Sequence, residues 1–155
     1  MYAIIRLRGS ADLKPAIKYT LELLRLHRVN HCVVVEENAY YKGMLQKVKD
    51  YVAWGEISEE SLAALLEKRG RLEGGDKLSE EYLRDKTDFE SLKALTQALY
   101  SGEQKMRDLM KYKIKPVFRL HPPRKGHKGI KRSVKRGGEL GYHSDGINAL
   151  LHKMR

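Results

Sequence analysis

The chain has 155 residues, with 31 Lys and Arg against 20 Asp and Glu, and one cysteine, Cys32. A lone cysteine excludes an internal disulfide framework and a multi-cysteine zinc site, and a chain of this size buries roughly 70% of its unfolded surface without either. No apolar run approaches the ~20 residues that cross a bilayer, and Met1 leads straight into a strand-like pattern with no charged leader, so a soluble, cytoplasmic protein is expected.

Tyr2 to Arg8 alternates loosely and predicts a strand ending at Gly9. Pro15 suits the first turn of a helix, where its missing N–H is not needed, and Ile17, Leu21 and Leu24 follow at helical spacing. Asn30 is a turn residue. His31 to Glu36 reads as a short valine-rich strand, in which Cys32 is a small buried hydrophobe rather than a nucleophile. A second helix runs from Ala39 to about Asp50, burying Tyr41, Met44, Leu45 and Val48, and Tyr51 to Ile57 gives a third strand.

Helices follow. Ser58 caps one through Leu62, Leu65 and Leu66 that stops near Gly70, and Ser79 caps a short one through Tyr82 and Leu83. Thr87-Asp88-Phe89-Glu90 has the spacing of a capping box ahead of Leu92, Leu95 and Leu99. Gly102 ends that helix, and a turn or two spans Glu103 to Met110. Val117 to Leu120 is a further strand. Beyond it, Pro122, Pro123, Gly126 and Gly129 interleave with cations and exclude helix or central strand. Gly137, Gly138, Gly141 and Gly146 keep the chain irregular until Ile147, Leu150, Leu151 and Met154 return to helical spacing. The resulting division is residues 1–57, an α/β unit; 58–110, a helical insertion; and 111–155, a basic extension.

The charge is segregated. Residues 1–110 hold 18 basic and 18 acidic side chains, whereas Lys111 to Arg155 holds 13 basic ones against Glu139 and Asp145 alone, so the whole +11 lies in the last 45 residues. A solvated surface mixes its signs, and a one-signed block points to a polyanion. Its densest part supplies the candidate binding residues: Arg119, His121, Pro123, Arg124, Lys125, Gly126, His127, Lys128, Lys131, Arg132, Lys135 and Arg136. Cations neutralise phosphates, backbone at glycine lets phosphate oxygens approach closely, proline limits the entropy lost on binding, and histidine can hydrogen-bond or stack on a base. The bland alternative is a basic tail that only confers solubility. A smaller cluster comprises Arg8, Lys42, Lys47 and Lys49 around Gly43, a helix glycine that invites close approach of nucleic acid or of another helix. Tyr40 and Tyr41 are candidate stacking residues.

Enzyme signatures such as the P-loop, H-E-x-x-H and G-x-S-x-G are absent, so no catalytic residue, metal ligand, cofactor or small-molecule substrate is assigned. His27 and His31 flank a turn, where packing explains them, and the carboxylate pairs Glu59–Glu60 and Glu80–Glu81 suit helix starts. A structural RNA-binding protein, a DNA-binding protein using the same cations, and an RNA-processing enzyme acting through His121 or His127 remain the competing readings.

The run Phe118-Arg119-Leu120-His121-Pro122-Pro123-Arg124-Lys125-Gly126, then Lys135-Arg136-Gly137-Gly138-Glu139-Leu140-Gly141 and the last helix, resembles the C-terminal part of the archaeal large-subunit ribosomal protein L-thirty family, to which eukaryotic ribosomal protein L-seven is related. Tyr41-Lys42-Gly43-Met44-Leu45-Gln46-Lys47-Val48 resembles that family's Arg-Gly-Met-x-x-Lys-Val segment, with Lys42 in place of the usual arginine, and Leu26 to His31 matches a further stretch. Lys125 and Lys128 make the loop more basic than the usual glycine-rich form. The resemblance implies an α+β fold: a strand–helix–strand–helix–strand core with an antiparallel three-stranded sheet, related to the ferredoxin-like fold, plus the helical insertion and basic extension. It also implies a non-catalytic constituent of the large ribosomal subunit that binds 23S-type ribosomal RNA, with 5S ribosomal RNA close by and other large-subunit proteins as neighbours.

Overall fold

The computed structural model describes residues 1–155. Strand β1 (Tyr2–Arg6) is followed by α1 (Pro15–Leu23), β2 (His31–Val35), α2 (Ala39–Val48) and β3 (Val52–Glu56). Then come α3 (Glu59–Arg69), α4 (Glu80–Lys86), α5 (Leu92–Ser101) and a 3-10 segment, Met106–Tyr112. The last part carries β4 (Val117–Arg119), a 3-10 turn at Val134–Arg136, β5 (Gly141–Tyr142) and α6 (Gly146–Met154). No helix is long and apolar enough to cross a membrane.

The sheet has five strands in the order β4-β2-β1-β3-β5, where three were expected. β1 lies in the middle, antiparallel to both β2 and β3, with Ile5 opposite Cys32 on one side and Ala53 on the other. β4 adds antiparallel to β2, His31 facing Arg119, and β5 adds parallel to β3, Ala53 facing Gly141. The two added strands are three and two residues long, too short for a hydrophobic period to reveal what they pair with.

Both faces of the sheet are covered, which explains why β1 and β2 read as continuous apolar runs rather than strict alternations. Ala3, Ile5, Cys32, Val34 and Phe118 join a cluster of 24 buried residues with the leucines of α3, α4, α5 and α6. Ile4, Val33, Val52 and Trp54 point the other way, into a cluster of 11 with α1 and α2. Cys32 is fully buried, and desolvation pushes its thiol up to about 12, so it stays protonated and inert at neutral pH.

Local rules account for most helix ends. The side chains of Asn38, Ser58 and Ser79 accept from the backbone N–H three residues on and start α2, α3 and α4. The capping box expected at Thr87 does not form. Its hydroxyl donates to the Leu83 carbonyl (2.6 Å) and closes the end of α4, while Ser91 caps α5 by accepting from Ala94 N–H.

The C-terminal part is clamped to the end of β3. His143 N–H donates to Trp54 O (2.8 Å), and the Asn148 amide donates to Glu56 O while accepting from Ser58 N–H. This closeness demands glycine at 55: a Cβ there would lie 2.1 Å from the Ser144 carbonyl oxygen. Gly43 is the opposite case, exposed on α2 with nothing within 4 Å of where a Cβ would lie, so packing against another helix of this chain does not explain it. Gly55→Ala is therefore expected to cost about 1–3 kcal/mol in urea denaturation, from overpacking. Gly43→Ala should instead gain up to about 1 kcal/mol in the isolated protein.

Candidate nucleic-acid interface

The basic extension is held at both ends. From Arg119 on edge strand β4, the chain turns over the C-terminal end of α6, where His121 N–H donates to Met154 O (2.9 Å) and Arg124 N–H to Lys153 O (3.1 Å). Pro123 O accepts from Gly126 N–H (3.0 Å), closing a four-residue turn in which Lys125 has φ 67°. Positive φ at the third residue of a turn is the position that favours glycine. The lysine there, with Arg124 before it and Lys128 just beyond, is exposed.

The second half of the loop folds on itself. Leu140 N–H donates to Arg132 O, Val134 N–H to Leu140 O, and Glu139 N–H to Gly129 O. Gly138 makes this crossing feasible, since a Cβ would sit 2.0 Å from Arg132 O. Lys131, Arg132, Lys135 and Arg136 stand exposed on the outside of this knot. No Lys or Arg from Lys111 to Arg155 has a carboxylate within 4.0 Å, although several in the first 110 residues do.

Two residues expected at the interface face inward. Pro123 is buried and supports the turn from beneath. His127 Nδ1 is committed to the carboxylate of buried Glu139, so that acidic side chain braces the loop and takes the imidazole edge away from a ligand. His143 adds a contact from its Nε2 to Glu139 O (2.7 Å). His121 and Gly126 are exposed.

The smaller cluster on α2 is more mixed in charge. Lys42 Nζ lies 3.1 Å from Glu37, whose hydrogen bond pushes the lysine above its ordinary value, while Lys47 and Lys49 are exposed without an ion-pair partner. Arg8 donates to Asp50 O (3.2 Å), and its guanidinium sits 5.1 Å from the centre of the Tyr51 ring. Tyr40 is 67% exposed beside Tyr41 and is free to stack. A shallow cleft brings Lys42 and Gln46 of α2 together with Trp54 and Tyr142, joining this cluster to the end of the basic extension. Tyr142 is half exposed, 6.2 Å from Trp54 between ring centres. It escapes sequence reading because only the β3–β5 pairing puts it on this rim.

At the other edge of the sheet, positive charge gathers around His31. Its Nδ1 is buried without a partner, and its pKa is pushed down first by burial, then by the cations Arg119, His27, Arg28 and Arg6. The unfolded chain takes up that proton first, so this group withdraws stability as pH falls through about 6.5. Arg119→Gln should raise the His31 pKa while leaving it below the ordinary value, because burial persists. Titration of the imidazole C–H signals by NMR reads this directly, and an unchanged value would show that Arg119 does not act on the ring.

A family model described as ribosomal protein L30p/L7e matches residues 2–52. Over 155 residues, all of both chains, the sequence is 56% identical to the large ribosomal subunit protein uL30 of Methanothrix thermoacetophila. It is 54% identical to the protein of that name from Methanocella arvoryzae and 52% identical to the one from Archaeoglobus fulgidus, again over the full length of each.

Proposed function

The chain belongs to the ribosomal protein L30p/L7e family and is a structural protein of the large ribosomal subunit, and from that premise we propose that it binds 23S-type ribosomal RNA directly, with 5S ribosomal RNA close by. The observation that carries this reading is the set of thirteen cations from Lys111 onward, none of them within 4.0 Å of a carboxylate. Side chains left unpaired in this way repel one another in the free protein, and a phosphate backbone relieves that repulsion with release of counterions.

Arg119, Arg124, Lys125, Lys128, Lys131, Arg132, Lys135 and Arg136 neutralise phosphates, and His121 adds a hydrogen bond or a stacked ring. His127 and Pro123 act from within, holding the loop in shape before RNA arrives, which lowers the ordering cost of binding. Lys42, Lys47 and Lys49 on α2, with Arg8 near the end of that helix and Gly43 leaving the helix surface open, make a second contact. The activity is positional and not catalytic: charge is neutralised at fixed points so that RNA helices can approach one another.

Replacing Arg124, Lys125 and Lys128 with alanine should weaken binding to a large-subunit RNA fragment and leave the circular dichroism unchanged. For the wild type, the log–log salt slope should be roughly −3 to −5, which corresponds to about four to six phosphates met by cations. In a cell lysate the protein should sediment with the large ribosomal subunit. A slope near zero, or equally tight binding to duplex DNA at the same salt, would overturn the assignment.

A further inference from the structure

We propose that the cleft between the end of α3 and edge strand β4, lined by Arg69, Arg71, Lys115 and Arg119, binds a phosphodiester of the RNA backbone at a place separate from the 124–136 loop. The inference rests on the RNA-binding reading above and adds a site that draws half its charge from the electrically neutral part of the chain.

The cleft measures about 220 Å³, and its remaining lining residues are Gly75 and Val117, with no carboxylate among them. The carboxylates of the adjoining turn, Glu73 and Asp76, line a neighbouring recess instead. None of the four cations has an acidic partner within 4.0 Å, in contrast to Arg84, Lys105 and Arg107 elsewhere in the first 110 residues. Guanidinium groups hold several donors in a planar fork, which matches the multiple acceptors of a phosphate oxyanion.

The backbone beneath these side chains is pinned. Lys115 N–H donates to Arg71 O and Glu73 N–H to Lys113 O, both at 2.9 Å, and Leu72 bridges to Ile114, so the segment after α3 runs beside the one leading into β4. Gly70 is buried at the bend, where a Cβ would meet Leu66 O at 2.4 Å. The four cations are therefore mounted on fixed chain and do not belong to a mobile tail.

A structural reading exists for part of the cluster, since a basic residue in the last turn of a helix complements its dipole, and Arg69 sits there. That reading leaves two observations over. Arg71, Lys115 and Arg119 lie beyond the helix yet converge on the same cleft. Arg69 Nε is buried with no acceptor, a donor that costs free energy until something supplies an oxygen. Burial and the charge of Arg71 also push the Arg69 pKa down, so the cleft's own charges work against one another. Phosphate fits better than a carboxylate-bearing protein segment because the cleft is continuous with the basic run: Arg119 lines the one and begins the other.

The test compares four full-length proteins: wild type, Arg71→Gln/Lys115→Gln, the charge-preserving Arg71→Lys/Lys115→Arg, and the Arg124/Lys125/Lys128 alanine triple. The probe is one large-subunit RNA fragment across a salt series. For the glutamine pair, loss of one phosphate contact should weaken binding roughly five- to tenfold at 0.1 M salt and make the slope shallower by about 0.7–0.9. Its thermal midpoint at low salt should hold or rise, because like-charge repulsion is relieved, and the charge-preserving pair should keep the wild-type slope. Wild-type affinity and slope in the glutamine pair, with the loop triple still weakened, would overturn the cleft and leave the loop; that result also fits an acidic protein neighbour. A lowered midpoint in both pairs would assign the cluster a structural role instead. If neither the glutamine pair nor the triple weakens binding, the RNA-binding reading itself fails.

Discussion

Every residue from Tyr2 to Leu7 is buried, and β1 is hydrogen-bonded to a strand on each side, so its side chains need cover above and below the sheet. That requirement shapes the rest of the chain. α1 and α2 close one face over Ile4, Val33 and Trp54. The other face, with Ala3, Ile5 and Val34, is closed by residues far along the sequence: leucines of α3 and α5, Phe118 of β4, and Ile147 to Met154 of α6. Arg6, at the end of β1, is the one charged residue in that run. It is neutralised by no carboxylate, but its guanidinium donates to Arg8 O, Leu26 O and Ser10 Oγ, tying the strand end to the loop before β2. Burial pushes its pKa down, though an arginine stays charged regardless.

The cationic surface is a by-product of that closure. For α6 to cover the sheet, the chain from β4 must cross from one sheet edge to the other, and residues 121–140 are the crossing. Backbone hydrogen bonds to the end of α6 and within the knot around Gly138 anchor this crossing, and its cationic side chains face outward. Glu139, the one acidic residue in the crossing, is turned inward onto His127 and removes no charge from the outer surface. A loop built in this way resists its own repulsion through backbone hydrogen bonds and one partly buried pair. It holds its shape with its cations outward.

The same crossing gives the two edges of the sheet different characters. The β5 edge sets aromatic surface, Tyr142 over Trp54, beside the lysines of α2. The β4 edge sets Arg119 between His31 on one side and, on the other, Arg69 at the end of α3 and Arg71 just beyond it. Under the proposed function, RNA contact at both edges would hold the sheet across its full width.

Much of this is legible in the order of residues. The periodicities of residues 2–57 mark β1 to β3 with α1 and α2, because each element is long enough for apolar spacing to distinguish helix from strand. The one-signed block from Lys111 onward locates the whole excess of positive charge, because charge sums directly along a chain. The motif around Pro122-Pro123-Arg124 points to the family. Other features have no local signal. β5 is two residues long and exists only because β3 offers an open edge. Thr87 closes α4 rather than opening α5, a choice between two nearby partners. Pro123 and His127 look like interface residues in a basic run, yet packing turns them inward. Most telling are Arg69 and Arg71: along the sequence their charge is cancelled by nearby glutamates and aspartates, and only the fold separates those carboxylates in space and delivers the arginines to the cations of β4. Sequence alone determined how much charge the protein carries and in which stretch the excess lies. Tertiary structure decided which cations stand together, because screening and pairing depend on distance through space and not on position along the chain.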